Sequence, residues 1–293
     1  MEFVIDYKSL SSVIKLRGNE ISFSKDNNKL TVSDSNTQLG FAIGDISEFR
    51  FSKDEIEGDF ITVKISDLQK IIKSGAFARD ESEVSRQFIT GSELRIKDGK
   101  MNVLSTDGKM MSRSFVSVEN NEIDKICVLS PKCIEAIKTF EGENVNIKFN
   151  ENMIVFNMEG CEFYMSLLNC NFPDTSKFFT TDEYSQYVFN KKEVLESFEL
   201  LSVINDDVVN VECKEGKVKL SSNNIKGSVD DIFEAQKKCG EDFSFSVNKT
   251  LFSNIFKNID ADNIVIKYKG AVLPIEYFDN NGSDGVLMPL RKN

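Results

Sequence analysis

The sequence predicts an α+β protein built from repeated βαβββ modules, with helices lining an inner face and sheets outside. Three observations predict it: a pattern that returns five times, an amphipathic helix behind a capping residue in each return, and hairpin chemistry after each helix. The pattern opens at Phe3–Leu10, Ile61–Leu68, Ile126–Lys132, Tyr187–Lys192 and Phe243–Lys249, about 55 to 65 residues apart. Five modules divide the chain into residues 1–60 with one module, 61–182 with two and 183–293 with two.

Each element has its own signal. Asp6, Ser66, Ser130, Asn190 and Asn248 stand where a helix N-cap is wanted, because their side-chain oxygens accept the unpaired N–H groups of a first turn. Pro131 follows Ser130 at the first helical position, where its missing donor does no harm. Helical spacing of apolar residues marks Leu10, Val13 and Ile14, then Leu68, Ile71 and Ile72, then Ile134 and Ile137. It continues at Val194, Leu195, Phe198 and Leu201 and at Leu251, Ile255 and Ile259. Alternating strands follow, as in Glu20–Phe23 with Lys29–Val32 and Val145–Phe149 with Met153–Phe156. The connections Asp26-Asn27-Asn28, Lys97-Asp98-Gly99-Lys100 and Lys214-Glu215-Gly216-Lys217 suit tight hairpins.

Composition narrows the chemistry. The chain has 293 residues, 40% of them hydrophobic and 24 of them Phe, enough to bury a substantial core. It has no histidine, which removes the commonest general base and the commonest zinc ligand. No glycine-rich phosphate loop, GxGxxG or dense Asp cluster stands in its place, so no catalytic residue, metal or cofactor is expected. A carboxylate-metal nuclease is the enzyme class left over, and Asp206-Asp207 and Asp230-Asp231 read better as solvated loop charges. The six cysteines form no CxxC pair and read as buried free thiols of a reducing compartment. Without a basic leader or a long apolar run, the chain reads as cytoplasmic, with no membrane partner.

The net charge of −11 argues against nucleic acid until its distribution is considered. The candidate helices, residues 6–17, 64–79, 130–140, 190–201 and 247–257, carry 13 Lys and Arg against 6 Asp and Glu, while the whole chain carries 36 against 47. The basic set is Lys8, Lys15, Arg17, Lys64, Lys70, Lys73, Arg79, Lys132, Lys138, Lys191, Lys192, Lys249 and Lys257. Set on one side of a curved sheet, these residues would form an electropositive surface that holds duplex DNA through its phosphates, without sequence readout.

The repeat, the basic helices and three motifs together resemble the bacterial sliding clamp family, the β subunit of DNA polymerase III. Arg86-Gln87-Phe88-Ile89-Thr90-Gly91, followed by Thr106-Asp107-Gly108-Lys109-Met110-Met111, is similar to the family's RxxxxG…TDGxRL pattern. Phe172-Pro173-Asp174 is similar to its FPDY loop, and Val286-Leu287-Met288-Pro289-Leu290-Arg291 to its terminal VVMPMR. Met110 and Met111 stand where the family has Arg or Leu, a departure that bears on peptide preference. The resemblance implies a processivity factor and not an enzyme, with a pocket for linear peptides of polymerases and clamp loaders. Carried over, that pocket comprises Arg86, Ile89, Thr106, Gly108, Lys109, Met110, Met111, Pro173, Lys177, Phe178, Val286, Leu287, Met288, Pro289, Leu290 and Arg291. Residues 1–60 resemble the second half of the family's first domain, so five modules are expected where the family has six. Leu39-Gly40-Phe41 matches the edge that meets the partner subunit, which implies a homo-oligomer, a head-to-tail ring of two chains, associated with the nucleoid. The alternative reading is a clamp-derived scaffold that binds clamp partners without encircling DNA.

Overall fold

A computed structural model describes residues 3–16, 20–45, 56, 60–80, 82, 86–119, 123–178, 184–204 and 206–291. The chain forms two compact units, residues 1–55 and 56–293. In the first, Val4 makes a single antiparallel bridge to Gly44, and α1 (Tyr7–Ser11) runs into a 3-10 turn at Ser12–Lys15. Asp6 caps this helix, its Oδ2 accepting the Ser9 N–H at 2.8 Å. Strands β1 (Ser22–Asp26), β2 (Lys29–Ser33) and β3 (Gln38–Ala42) form an antiparallel sheet in that order. Alternate residues Leu30 and Val32 of β2 turn inward and bury with Val13 and Ile43.

The second unit holds four more βαβββ modules. The second module is β4 (Ile61–Lys64), α2 (Ile65–Gly75), β5 (Ser92–Lys97), β6 (Lys100–Thr106) and β7 (Met110–Ser117), with a one-turn α3 (Gln87–Thr90) ahead of β5. The third is β8 (Lys125–Leu129), α4 (Pro131–Ile137), β9 (Asn144–Phe149), β10 (Met153–Met158) and β11 (Cys161–Ser166). The fourth is β12 (Ser185–Asn190), α5 (Lys191–Leu201), β13 (Val208–Lys214), β14 (Lys217–Asn224) and β15 (Gly227–Glu234), followed by an added strand β16 (Gln236–Cys239). The fifth is β17 (Phe243–Asn248), α6 (Lys249–Asn258), β18 (Asn263–Tyr268), β19 (Ile275–Phe278) and β20 (Ser283–Leu287).

Modules are stitched in pairs by exchanging first strands. The second module's β4 pairs with β9 of the third, and β8 returns the exchange by pairing with β5. In the same way β12 pairs with β18 and β17 with β13. The pairs are then joined through β7 and β20, which produces a nine-stranded sheet ordered β16-β12-β18-β19-β20-β7-β6-β5-β8. Within each pair the helices pack on one another, α2 on α4 and α5 on α6. One core lies in residues 61–167 around Leu68, Ile71, Ile134 and Ile147. The other is built mainly from residues 187–287, where Phe189, Phe252 and Phe256 pack edge-on and stacked at ring separations of 5.3 to 6.4 Å.

Caps and turns follow the sequence except at one position. Ser130, Asn190 and Asn248 accept first-turn N–H groups from Cys133, Lys192 and Glu193, and Leu251. Ser66 does not: the cap position falls on Lys64, two residues earlier, and Ser66 lies exposed in the first turn of α2. Asp98 and Gly99, and Glu215 and Gly216, all take positive φ, the geometry that lets a two-residue turn match the twist of its strands. Asp230 and Asp231 lie on β15 and not in a loop. There Lys219 reaches Asp230 at 2.8 Å and the Ser197 hydroxyl donates to Asp231. Cys127, Cys133 and Cys213 are buried free thiols, whereas Cys161 and Cys239 are exposed, each on a strand at the edge of its sheet. Among the described residues no helix is long and apolar enough to cross a membrane, and no group of three or more His, Cys, Asp or Glu gathers as metal ligands do.

Candidate functional site

The β6–β7 turn sets the site. Thr106 Oγ1 accepts the Gly108 N–H at 3.0 Å and donates to the Met110 carbonyl at 2.7 Å. Asp107 Oδ1 accepts the N–H groups of Lys109 and Met110, both at 2.7 Å. Two short polar side chains thus satisfy the turn backbone, and Gly108 supplies the φ of +85° that a side chain would resist. The open flank of Gly108 faces Arg86, whose guanidinium lies 3.8 Å from where a Cβ would stand.

From this turn β7 runs beside β20, with Met111 opposite Val286 and Met110 opposite Leu287. Met111, Val286 and Leu104 form a small buried cluster, closed on one side by Phe172. Phe172 meets Phe88 of α3 edge-on, with ring centroids 5.9 Å apart. The Met111 position is fixed from behind. Tyr277 crosses β20 and donates its hydroxyl to the Met111 carbonyl at 2.9 Å, and Gly285 leaves the room it crosses through. Burial pushes this phenol's pKa up, so it remains a donor.

Above the cluster opens a mostly apolar cavity of about 260 Å³. Of the sixteen residues expected there, Arg86, Ile89, Thr106, Gly108, Lys109, Met110, Met111, Pro173, Lys177, Phe178, Val286 and Met288 line it. Phe178 and Met288 are well exposed at its walls, and the ammonium of Lys177 sits 5.4 Å from the Phe178 ring centroid. Leu287 is a correction: strand alternation turns it to the opposite side of β20, where it is 1% exposed in the core. Pro289, Leu290 and Arg291 also stand off the cavity, as the chain turns away after Met288 and the Leu290 N–H donates to the Ser246 carbonyl at 2.7 Å. Phe88, Asp174 and Thr175 line it and were missed, although Phe88 lies inside the Arg86–Gly91 motif and Asp174 inside the Phe172–Asp174 motif. Arg86, Lys109 and Lys177 against Asp174 give the rim a positive balance. Among the described residues, the cavity is a floor of sulfur and aliphatic carbon under a cationic rim, the chemistry of an apolar cleft with a few placed polar groups.

The basic helix residues divide by what holds their head groups. Lys8, Lys15, Lys64, Lys73, Lys132 and Lys257 are exposed, Lys138 and Lys192 are exposed but paired with Glu135 at 2.6 Å and Glu196 at 3.7 Å, and Lys70 is half-buried. Lys191 and Lys249 serve the helix pair itself. Lys191 Nζ donates to the Ile259 carbonyl at the end of α6 at 2.7 Å, and Lys249 Nζ to the Ile204 carbonyl beyond α5 at 3.0 Å. Each cation sits at the negative end of its neighbour, a favourable place for charge. Arg79 binds Glu135 at 3.1 Å. Arg17 lies outside the described residues.

Known proteins resemble both the sequence and this arrangement. The family profile described as "DNA polymerase III beta subunit, central domain" matches residues 62–174, and that of the family's C-terminal domain matches residues 177–291. A Beta sliding clamp of Streptococcus pneumoniae is 30% identical over 216 residues, covering 71% of this chain and 57% of the relative. One of Staphylococcus epidermidis is 21% identical over 288 residues, covering 94% and 76%. The chain therefore spans little more than half the length of the pneumococcal relative. Among solved structures, the Thermotoga maritima DNA polymerase III beta subunit matches with a TM-score of 0.90 at 21% identity, over 99% of this chain and 82% of that one. The Bacillus subtilis DNA polymerase sliding clamp matches with a TM-score of 0.90 at 20% identity, over 99% and 80%. The fold is the one these clamps share.

Proposed function

The chain belongs to the DNA polymerase III beta subunit family, and from that premise we propose that it is a sliding clamp, a processivity factor without catalytic activity of its own. It holds duplex DNA non-specifically through phosphates and tethers polymerase and clamp-loader peptides in the cavity over Met111 and Val286. One observation carries this reading. Three segments far apart in sequence, around Thr106, Pro173 and Val286, supply one apolar cleft with a cationic rim. Leu or Phe side chains of a partner suit the floor, and Arg86, Lys109 and Lys177 suit its carbonyls and acidic ends. Burying two such anchors contributes about 1.5 to 3 kcal/mol each, enough with rim contacts for affinity near 1 μM, or about −8 kcal/mol.

The assembly reading rests on an internal precedent. The last strand of the second module, β7, pairs with the last strand of the fifth, β20. The equivalent strands β15 and β3 each stand at a sheet edge, and Ile232 on β15 is 60% exposed. A strand edge invites pairing through its backbone groups, and β15 of one copy meeting β3 of another would extend the sheet from chain to chain; Leu39 and Phe41 are half-buried there, Phe41 against the cluster of Val13, Leu30, Val32 and Ile43. The proposed domains are residues 1–60, 61–182 and 183–293, a reading supported by the strand exchange that ties β4 to β9 and β8 to β5 in the second and β12 to β18 and β17 to β13 in the third.

Titration of a fluorescent peptide containing Gln, Leu and Phe tests the central part. Saturable 1:1 binding in the range of about 1 to 50 μM is expected, and no binding at about 1 mM would overturn the pocket assignment.

A further inference from the structure

The chain carries a second cavity, of about 360 Å³, where α2, α4 and the end of α6 converge; Lys73, Arg79 and Lys138 line it together with Gln69, Phe77 and Asn258. Resting on the reading of the chain as a clamp on duplex DNA, we propose that this cavity seats one backbone phosphate, and that Glu135 occupies its cations while no DNA is bound. Arg79 is held in place, its side chain one-tenth exposed and its Nη1 donating to the Ala76 carbonyl at 3.2 Å. Its Nη2 donates to Glu135 Oε1 at 3.1 Å, and Lys138 Nζ donates to the same oxygen at 2.6 Å. One anionic oxygen shared by a guanidinium and an ammonium is the arrangement a phosphate oxygen takes.

Two further features favour an anion, and two more make Glu135 a displaceable counter-charge. Lys73 brings a third cation to the wall, and its field extends beyond the cavity: burial first, and Lys73 second, hold the Lys191 ammonium below its usual pKa. The carbonyls at the end of α4 would repel a phosphate, but Gln69 Nε2 lies within hydrogen-bonding distance of three of them, Ile137, Lys138 and Phe140, at 2.9 to 3.3 Å. The Glu135 side chain is 56% exposed, so it swings into water without unpacking the helix. The Lys138 hydrogen bond, the largest of several contacts, also lowers its carboxyl pKa, so Glu135 is a full counter-charge at neutral pH.

The test compares Glu135→Gln with Glu141→Gln, the same charge change at an exposed position six residues on and off the cavity wall. Fluorescence anisotropy of a labelled duplex with the full chain, over a salt series, is the readout. Glu135→Gln is expected to tighten binding at low salt by about threefold or more and Glu141→Gln by far less, while Lys73→Gln lowers the salt slope by about 0.9. Equal effects of the two glutamate substitutions, with the wild type binding, would overturn the gated cavity and leave the DNA reading standing. No binding by any form at low salt would overturn both.

Discussion

Met111 is held by a hydroxyl that reaches it from behind the strand, and this makes the pocket floor a fixed surface. The bond from Tyr277 depends on Gly285, where a Cβ would collide with the Met111 carbonyl and the Tyr277 ring. Gly285→Ala is therefore expected to destabilise the chain by about 1 to 3 kcal/mol in urea and to weaken peptide binding with it. The exposed walls behave differently. Phe178→Ala and Met288→Ala each remove about 1 kcal/mol of apolar contact with a bound peptide, about fivefold in Kd, and leave the melting temperature unchanged. Equal Kd values for wild type and both variants would place the peptide elsewhere. At Asp242, hydrogen bonds from Lys237 and Tyr187 hold the carboxyl below the ordinary carboxylate range. A depressed pKa contributes stability that is full above the unfolded value and lost as pH falls through the folded one. Melting temperature measured from pH 6 to pH 2 should fall less steeply for Asp242→Asn than for the wild type. Twelve of the sixteen residues expected at the pocket line one cavity, ten of them carried by the motifs and Lys177 and Phe178 lying just beyond Phe172–Asp174. The four that do not line it show what a motif, being a string, leaves out: strand alternation sends Leu287 to the core, and the turn after Met288 carries Pro289, Leu290 and Arg291 aside.

Elements were legible where local chemistry decides them. Helix starts at Asp6, Ser130, Asn190 and Asn248 were marked by residues that cap in the structure, and the start of α2 was not, because Lys64 precedes it without a side-chain cap. The exchange of first strands was invisible, since β4 pairing with β9 spans the intervening second module and no local preference encodes it. Lysine roles were equally hidden. A basic residue at a helix start reads as a surface charge, yet Lys191 and Lys249 reciprocally bind the far ends of α6 and α5. Lys191→Met is expected to destabilise by about 1 kcal/mol in denaturant titration, as a cation leaves a helix C-terminus. A loss of DNA affinity without loss of stability would instead return Lys191 to the DNA-facing set.

At the scale of the whole molecule, the sheets suggest how copies join. The β7–β20 seam runs one sheet through both strand-exchanged pairs of the second unit, and Arg113 clasps Asp284 across it at 2.5 to 2.8 Å. Edges β3 and β15 repeat the two sides of that seam, and the proposed assembly needs them to meet between chains. The net charge of −11 is a sum over the chain, and it hides that the cations are concentrated on the helices. Light-scattering mass over a concentration series tests the claim most directly. The wild-type mass is expected to rise from 33.1 kDa to a multiple of it as concentration increases, and that of Phe41→Lys to stay near 33.1 kDa with its circular dichroism unchanged. A wild-type mass that remains at 33.1 kDa up to about 100 μM, well above the dissociation constant of a stable assembly, would contradict it.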